Sequence, residues 1–429
     1  MENFILEMKK IVDESKDDNL SNDSIRNRLK EYLHYFVLDF IYNSEFKDLI
    51  FYGGSCLRIL YDLPRMSEDL DFETDKNIDF KKLVLALKRH FTKNLNLKEK
   101  FSAKKDTGIN RIFLILPIMK ELGLSSLGSE TLRIKIEIRP VSAGYLKNIK
   151  PIFTPKFKYG KSFVIKHYDL STLFASKLAA ILSRPEKGFA VGKAEEKINF
   201  KGRDLFDLNW YMEKGILPNE EMLKANGLKE SIGEIFDRIS VFISGTELKM
   251  GLKKDLEPLF ISKSFVNNFV NNFRSRFQRL KDERYTARKI KKLTKVSVNE
   301  EDYHTDVYSI RFDFVCEDNS RVIFIFKLSY DFMHYAKLNL NNISYDEEVD
   351  FRVSIDKKTE EVVKKYIALF LDKIDDYLKR HNNEVYFNRW ESKFIKITDA
   401  NFNPEKEIIF SSGEELINNK KITLEILVL

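Results

Sequence analysis

Two short runs, Gly53-Gly54-Ser55 and Asp69-Leu70-Asp71, constrain this chain more than anything else in it. Residues 48–52 are apolar after the first and stop abruptly at the glycines, as a strand does on entering a tight turn. Residues 55–61 then suit one or two helical turns, which Leu63-Pro64 breaks. Glycines there let backbone N–H groups approach a phosphate closely, and a helix start adds unpaired donors. The Ser55 hydroxyl can cap that helix or donate to a phosphate oxygen. Alone, such a turn is more often just a turn. Asp69 and Asp71 alter the balance, because residues i and i+2 of a strand point to the same face. Two converging carboxylates call for a cation, and oxygen ligands of this kind suit Mg²⁺ or Mn²⁺. Such an ion can hold a triphosphate and activate an attacking hydroxyl. The competing reading is a pair of exposed aspartates on an edge strand.

Other residues fall around this pair. Arg65 and Ser67 add a guanidinium and a hydroxyl just ahead of it, and a guanidinium can clamp a phosphate bidentately. Arg65 could equally neutralise Asp62 or Glu68. Arg58 lies one helical turn after Ser55, with either structural or phosphate contact open to it. Residues 131–138 alternate cleanly, putting Lys135 and Glu137 on the polar face. If that strand lies beside Asp69 and Asp71, Glu137 is a third carboxylate, as metal ligand or general base. Lys177 sits among apolar neighbours on an expected helix over 171–183, where a charge needs a partner. Arg203 and Asp207, in the run 201–208, are spaced for a surface ion pair on a helix.

The rest of the chain is organised around these elements. At 429 residues it exceeds one ordinary core. With 43% hydrophobic and 32% charged residues it reads as soluble and globular, without a membrane-spanning run. An acidic N-terminus is no secretory signal, and two cysteines, Cys56 and Cys316, form neither a disulfide framework nor a zinc site; a reducing cytoplasm is the expected setting. Helices are expected at 24–42 and 80–91, a strand at 111–117, a loop at 150–161, and a largely helical stretch to about Lys295. Residues 308–314 and 322–328 read as a hairpin turning at Asp318-Asn319-Ser320. A helix with Val363, Ile367, Phe370, Ile374 and Leu378 on its buried stripe follows. The expected domains are 1–215, 216–298 (helical) and 299–429 (a C-terminal α+β module of unassigned role). The formal charge of +7 is compatible with a polyanionic partner. The basic run from Arg274 to Lys295, interleaved with Phe277 and Tyr285, suits a nucleic-acid backbone with some base stacking, or a solvated helix face and linker.

The segments 52–58 and 63–72 closely resemble the AbiEii/AbiGii toxin family, bacterial nucleotidyltransferases of the DNA-polymerase-beta superfamily. Lys135-Ile136-Glu137 looks like that family's third acidic strand, residues 175–184 like its lysine helix, and residues 201–208 like its closing Arg-Asp…Asp motif. Met66 departs from the aromatic common there. The resemblance covers about residues 25–215. It implies an α+β fold: a polymerase-beta-like core, a mixed sheet flanked by helices, followed by a helical region and the C-terminal module. It implies nucleotide transfer from an NTP with Mg²⁺ or Mn²⁺, in a toxin neutralised by a cognate antitoxin and tied to abortive infection in phage defence. The acceptor it suggests is RNA, such as a tRNA 3′ end. On this resemblance Asp69, Asp71, Glu137, Lys177, Asp204 and Asp207 are catalytic candidates, the first three also metal ligands. Gly53, Gly54, Ser55, Arg58, Arg65, Ser67 and Arg203 are candidates for nucleotide binding. Transfer to a protein or small molecule, or a non-catalytic module binding RNA or antitoxin, are the alternatives.

Overall fold

A computed structural model describes residues 2–94, 102–106, 110–127, 129–142, 144–187, 200–244, 248–302 and 307–329, with shorter stretches beyond, between residues 349 and 428. It divides into two compact units. One comprises Met1–Tyr211, Leu217–Glu230 and Asp237–Phe277; the other comprises Met212–Ile216, Ser231–Phe236 and Gln278–Leu429.

The first unit opens with helices α1 (Glu2–Asp17) and α2 (Asn22–Tyr42). Ser21 caps α2 by accepting from the Ser24 N–H at 3.2 Å, and Leu29, Leu33, Phe36 and Val37 bury its apolar stripe. Strand β1 (Ile50–Tyr52) leads into α3 (Gly53–Leu60), so both glycines belong to the helix itself. Next come β2 (Asp69–Thr74), α4 (Phe80–Arg89), β3 (Ser102–Asp106), β4 (Arg111–Leu116) and β5 (Leu132–Pro140). Residues 150–161, expected as a loop, instead form most of a hairpin, β6 (Ile152–Lys158) and β7 (Lys161–His167), turning at Tyr159-Gly160. Helices α5 (Leu170–Lys187), α6 (Gly202–Glu213), α7 (Glu220–Ala225), α8 (Ile232–Ser244), α9 (Leu248–Leu256) and α10 (Lys263–Arg284) follow.

The seven strands form one sheet in the order β3-β4-β5-β2-β1-β7-β6. It is mixed: β2 runs parallel to β5 and β1 to β7, while the other neighbours are antiparallel. Thus β2 is the central strand, and the edge-strand reading of Asp69 and Asp71 fails. Alternation explains the two faces. Leu70, Phe72, Ile134, Ile136 and Ile138 are buried on one, while Asp69, Asp71, Lys135 and Glu137 are only partly buried on the other.

In the second unit, β8 (Arg288–Asp302), β9 (Val307–Cys316) and β10 (Arg321–Ser329) form an antiparallel meander. The expected hairpin is present, with Asn319 in the left-handed region (φ 63°) at its turn. The helical stretch ends at Arg284 rather than near Lys295, since β8 takes up the residues from Arg288. Ile367, Phe370, Ile374 and Leu378 are buried as expected, whereas Val363 lies outside the described residues.

Candidate active site

The sheet register brings the acidic residues together. Asp69 pairs with Lys135, Asp71 with Glu137 and Glu73 with Arg139 across β2 and β5. Paired residues share a face, so Asp69, Asp71 and Glu137 converge on one surface. Arg111 enters that surface from β4 opposite Glu137. On the other flank Tyr52 stands opposite Asp71, and the chain turns at once into α3. Gly53 has φ +79°, and a Cβ there would lie 2.5 Å from Asp71 Oδ2; one on Gly54 would lie 2.7 Å from Arg65 Nη2 and 3.0 Å from Ser67 Oγ. The glycines are therefore demanded by the carboxylate and guanidinium packed against them. The buried Ser55 hydroxyl donates to the Asp69 carbonyl, fixing the helix start to the strand.

Charges around the site are balanced locally. Lys135 Nζ lies 3.0 Å from Asp69 Oδ2 and 3.3 Å from Glu137 Oε2, and Arg111 Nε donates to Glu137 Oε2 at 3.2 Å. Burial acts to raise Glu137, but Lys135 and Arg111 prevail and hold its carboxyl below the usual range. Asp71 goes the other way: burial first, then the Asp69 charge, push it up to about 6. Among the described residues no group of three or more His, Cys, Asp or Glu side chains is arranged to hold a metal ion. The Lys135 ammonium lies between Asp69 and Glu137. The donor set nonetheless fits a hard divalent cation, since all three groups offer carboxylate oxygens and a cation already sits among them.

Beneath this surface lies a second, buried network. Arg65 donates to Asp207 through Nε (2.6 Å to Oδ1) and Nη2 (2.7 Å to Oδ2), and its Nη1 donates to the Met66 carbonyl at 2.9 Å. Lys177 Nζ, from α5, lies 2.9 Å from both Asp204 Oδ1 and Asp207 Oδ2 on α6. Burial works against ionised Asp207, but Arg65 and Lys177 outweigh it and lower its pKa. So Asp207 is paired with Arg65 and Lys177 inside the protein rather than with Arg203 on its surface, and Arg65 answers neither Asp62 nor Glu68. Arg203 instead reaches Glu68 Oε2 at 3.2 Å and approaches Asp69 Oδ2 at 3.9 Å, bringing α6 to the mouth. Arg58 turns to α2, bonding Glu31 Oε1 and the Leu63 carbonyl, both at 3.0 Å. Glu31 also accepts from the Ser67 N–H at 3.4 Å.

Glu31 and Arg111 carry no signal in the sequence, and Glu68, considered there only as a partner of Arg65, meets Lys30 and Arg203 instead. Arg111 could have been found only from the register of β4, which no periodicity fixes. His34 was missed as well; its Nε2 lies 3.3 Å from the Glu68 carbonyl, and burial lowers its pKa to about 4.

Residues 38–232 match the family model described as "Nucleotidyl transferase AbiEii toxin, Type IV TA system". That match makes the chain a nucleotidyltransferase. The matched span is just under half of the chain, and over it the sequence is similar to the AbiEii toxin family. No curated protein matches. Two solved structures are similar: JHP933 from Helicobacter pylori, with 17% identity and a TM-score of 0.34 over 61% of this chain and 94% of that one. The other, a candidate nucleotidyltransferase from H. pylori, has 18% identity and a TM-score of 0.31 over 61% of this chain and 99% of that one. Among the described residues no helix is long and apolar enough to cross a membrane.

Proposed function

We propose that the chain transfers a nucleotide from an NTP to an RNA acceptor such as a tRNA 3′ end, with Mg²⁺ or Mn²⁺. In this reading it is the toxin of a toxin–antitoxin pair serving abortive infection, restrained by a cognate antitoxin. The observation that carries it is the register of Asp71 with Glu137 beside Asp69, with the Gly53 turn pressed against Asp71. Asp69, Asp71 and Glu137 would hold the divalent ion, which when bound offsets negative charge on the triphosphate. Backbone N–H groups at the start of α3 supply donors for phosphate oxygens. Lys135 and Arg203 add positive charge at the same mouth. The Arg65–Asp207–Lys177 network positions these parts by tying the loop before β2 to α5 and α6.

The basic run favours RNA only through its charge. Arg274, Arg279, Lys289, Lys291 and Lys292 are exposed, but Phe277 and Tyr285 are fully buried and cannot stack on bases. Purified chain incubated with each labelled NTP, Mg²⁺ or Mn²⁺ and total RNA should place label in RNA, and Asp71→Ala should abolish it. Label confined to protein or a small compound would instead support the alternative acceptor class.

A further inference from the structure

The face that carries Asp69, Asp71 and Glu137 does not end at β1. Phe51, on the opposite face, pairs with His167 of β7, and both are buried. The intervening positions of β7, namely Lys166, Val164 and Ser162, therefore share the face of the carboxylates. Their partners across the hairpin on β6 are Phe153, Pro155 and Phe157. This surface is unusually apolar for one open to solvent: Phe153 is 65% exposed, Phe157 76% and Val164 51%. Three strand spacings separate β2 from β6, about 14 Å in all.

What such a surface accepts follows from its charge and its edge. From Glu137 to Asp169 the chain has no intervening acid, yet it carries Arg139, Lys147, Lys150, Lys156, Lys158, Lys161 and Lys166. Arg139 already pairs with Glu73 and Lys161 with Asp39; the bases that remain, with no acid among them, are suited to a polyanion. Strand addition at the edge is disfavoured, because Pro155 on β6 offers no N–H. Exposed aromatics flat on a sheet, two strand positions either side of a proline, with Lys166 on their own face and Lys156 and Lys158 on the other face of the same edge strand, are a platform for unstacked bases.

We propose that the outer face of the β6–β7 hairpin binds single-stranded nucleic acid, with Phe153 and Phe157 stacking on its bases. The surface leads a polymer along the same face as the carboxylates. The proposal rests on the RNA-acceptor reading for the polymer's link to catalysis, and on the hairpin alone for the contact.

The test is binding without NTP. Fluorescent single-stranded RNA and DNA oligonucleotides of mixed sequence, and the corresponding duplex, are titrated into full-length protein. Phe153→Ala/Phe157→Ala alters only exposed side chains, and Lys150→Glu tests the charge. Single strands should bind better than duplex, the double aromatic variant should weaken them at least tenfold, and ultraviolet crosslinking of a bromouridine-substituted RNA should map to the hairpin. RNA binding tighter than DNA, or equal binding of the two, fits the proposal equally. Unchanged affinity in the double variant, or a crosslink elsewhere, overturns it. So does a wild-type dimer dispersed by the double variant with no oligonucleotide bound. Transfer and binding separate the two readings. Loss of binding in a protein that labels no RNA sinks the acceptor reading alone. Undiminished RNA labelling and binding by the double variant sinks this one alone.

Discussion

Gly53 is held at φ +79° with Asp71 Oδ2 where its Cβ would stand, and Gly160 has φ +69° with nothing within 4 Å. Alanine at either position meets left-handed strain of about 1–2 kcal/mol. Only Gly53→Ala also displaces a carboxylate. Nucleotide transfer should therefore fall more than tenfold in Gly53→Ala and stay near wild type in Gly160→Ala, at similar cost in urea stability. Equal activity in the two would refute the packing role. Asp207 compensates both Arg65 and Lys177 inside the protein, so Asp207→Asn leaves buried charge without its counterpart. A loss of about 3–5 kcal/mol is expected on that account, read from denaturant unfolding; a change below about 1 kcal/mol would mean the network is dispensable to the fold. His34 supplies a pH effect. Its folded pKa, about 4, lies below the ordinary imidazole value of 6.5, so the unfolded chain binds the extra proton between those pH values. Stability from keeping His34 neutral is complete above pH 6.5 and drains away as pH falls towards 4, by up to about 3 kcal/mol. Wild type and His34→Gln, unfolded in urea across that range, should show a gap that changes by this amount; a constant gap would exclude the assignment.

Whole elements were legible where one face is buried and the other is wet. In β5, Ile134, Ile136 and Ile138 are buried and alternate with Lys135, Glu137 and Arg139, so both the strand and the outward carboxylate could be read from sequence. The β6–β7 hairpin was not legible, because β6 is exposed along much of its length and Pro155 imitates a loop signal. In β8, Ile290, Leu293 and Val296 recur every three residues, which looks helical. The structure reconciles this spacing with a strand through register shifts between Ile290 and Lys292 and between Leu293 and Lys295, each shifting the pairing. The ion pair of Arg65 with Asp207 joins residues 142 apart, and nothing in local pattern foretells it. Helix α2 was legible from its stripe, and its start is fixed by Ser21. Ser21→Ala should cost about 1 kcal/mol of stability in urea, with transfer unaffected; no measurable loss would mean that water satisfies the freed N–H groups.

The whole molecule joins sequence-distant pieces within its second unit. Arg284 donates to the Glu213 carbonyl at 2.7 Å, the Tyr285 hydroxyl to the Ile216 carbonyl at 2.8 Å, and the Tyr285 ring stacks on Phe236 at 4.1 Å. A chain ending at Phe277 loses these partners for residues 212–216 and 231–236. Hydrogen exchange should then quicken in those two segments and remain slow in β2 and β5; unchanged protection of both segments would contradict the division. The same interleaving sets an order of events on the ribosome. Phe236 emerges ahead of the residues from Gln278 onward that complete its unit, and at about 5–20 residues per second roughly 2–10 seconds pass before Tyr285 follows. During that interval the nascent chain carries Phe236 without the Tyr285 ring that stacks on it, so the translation rate beyond Phe277 becomes a determinant of how much of the protein reaches its folded form.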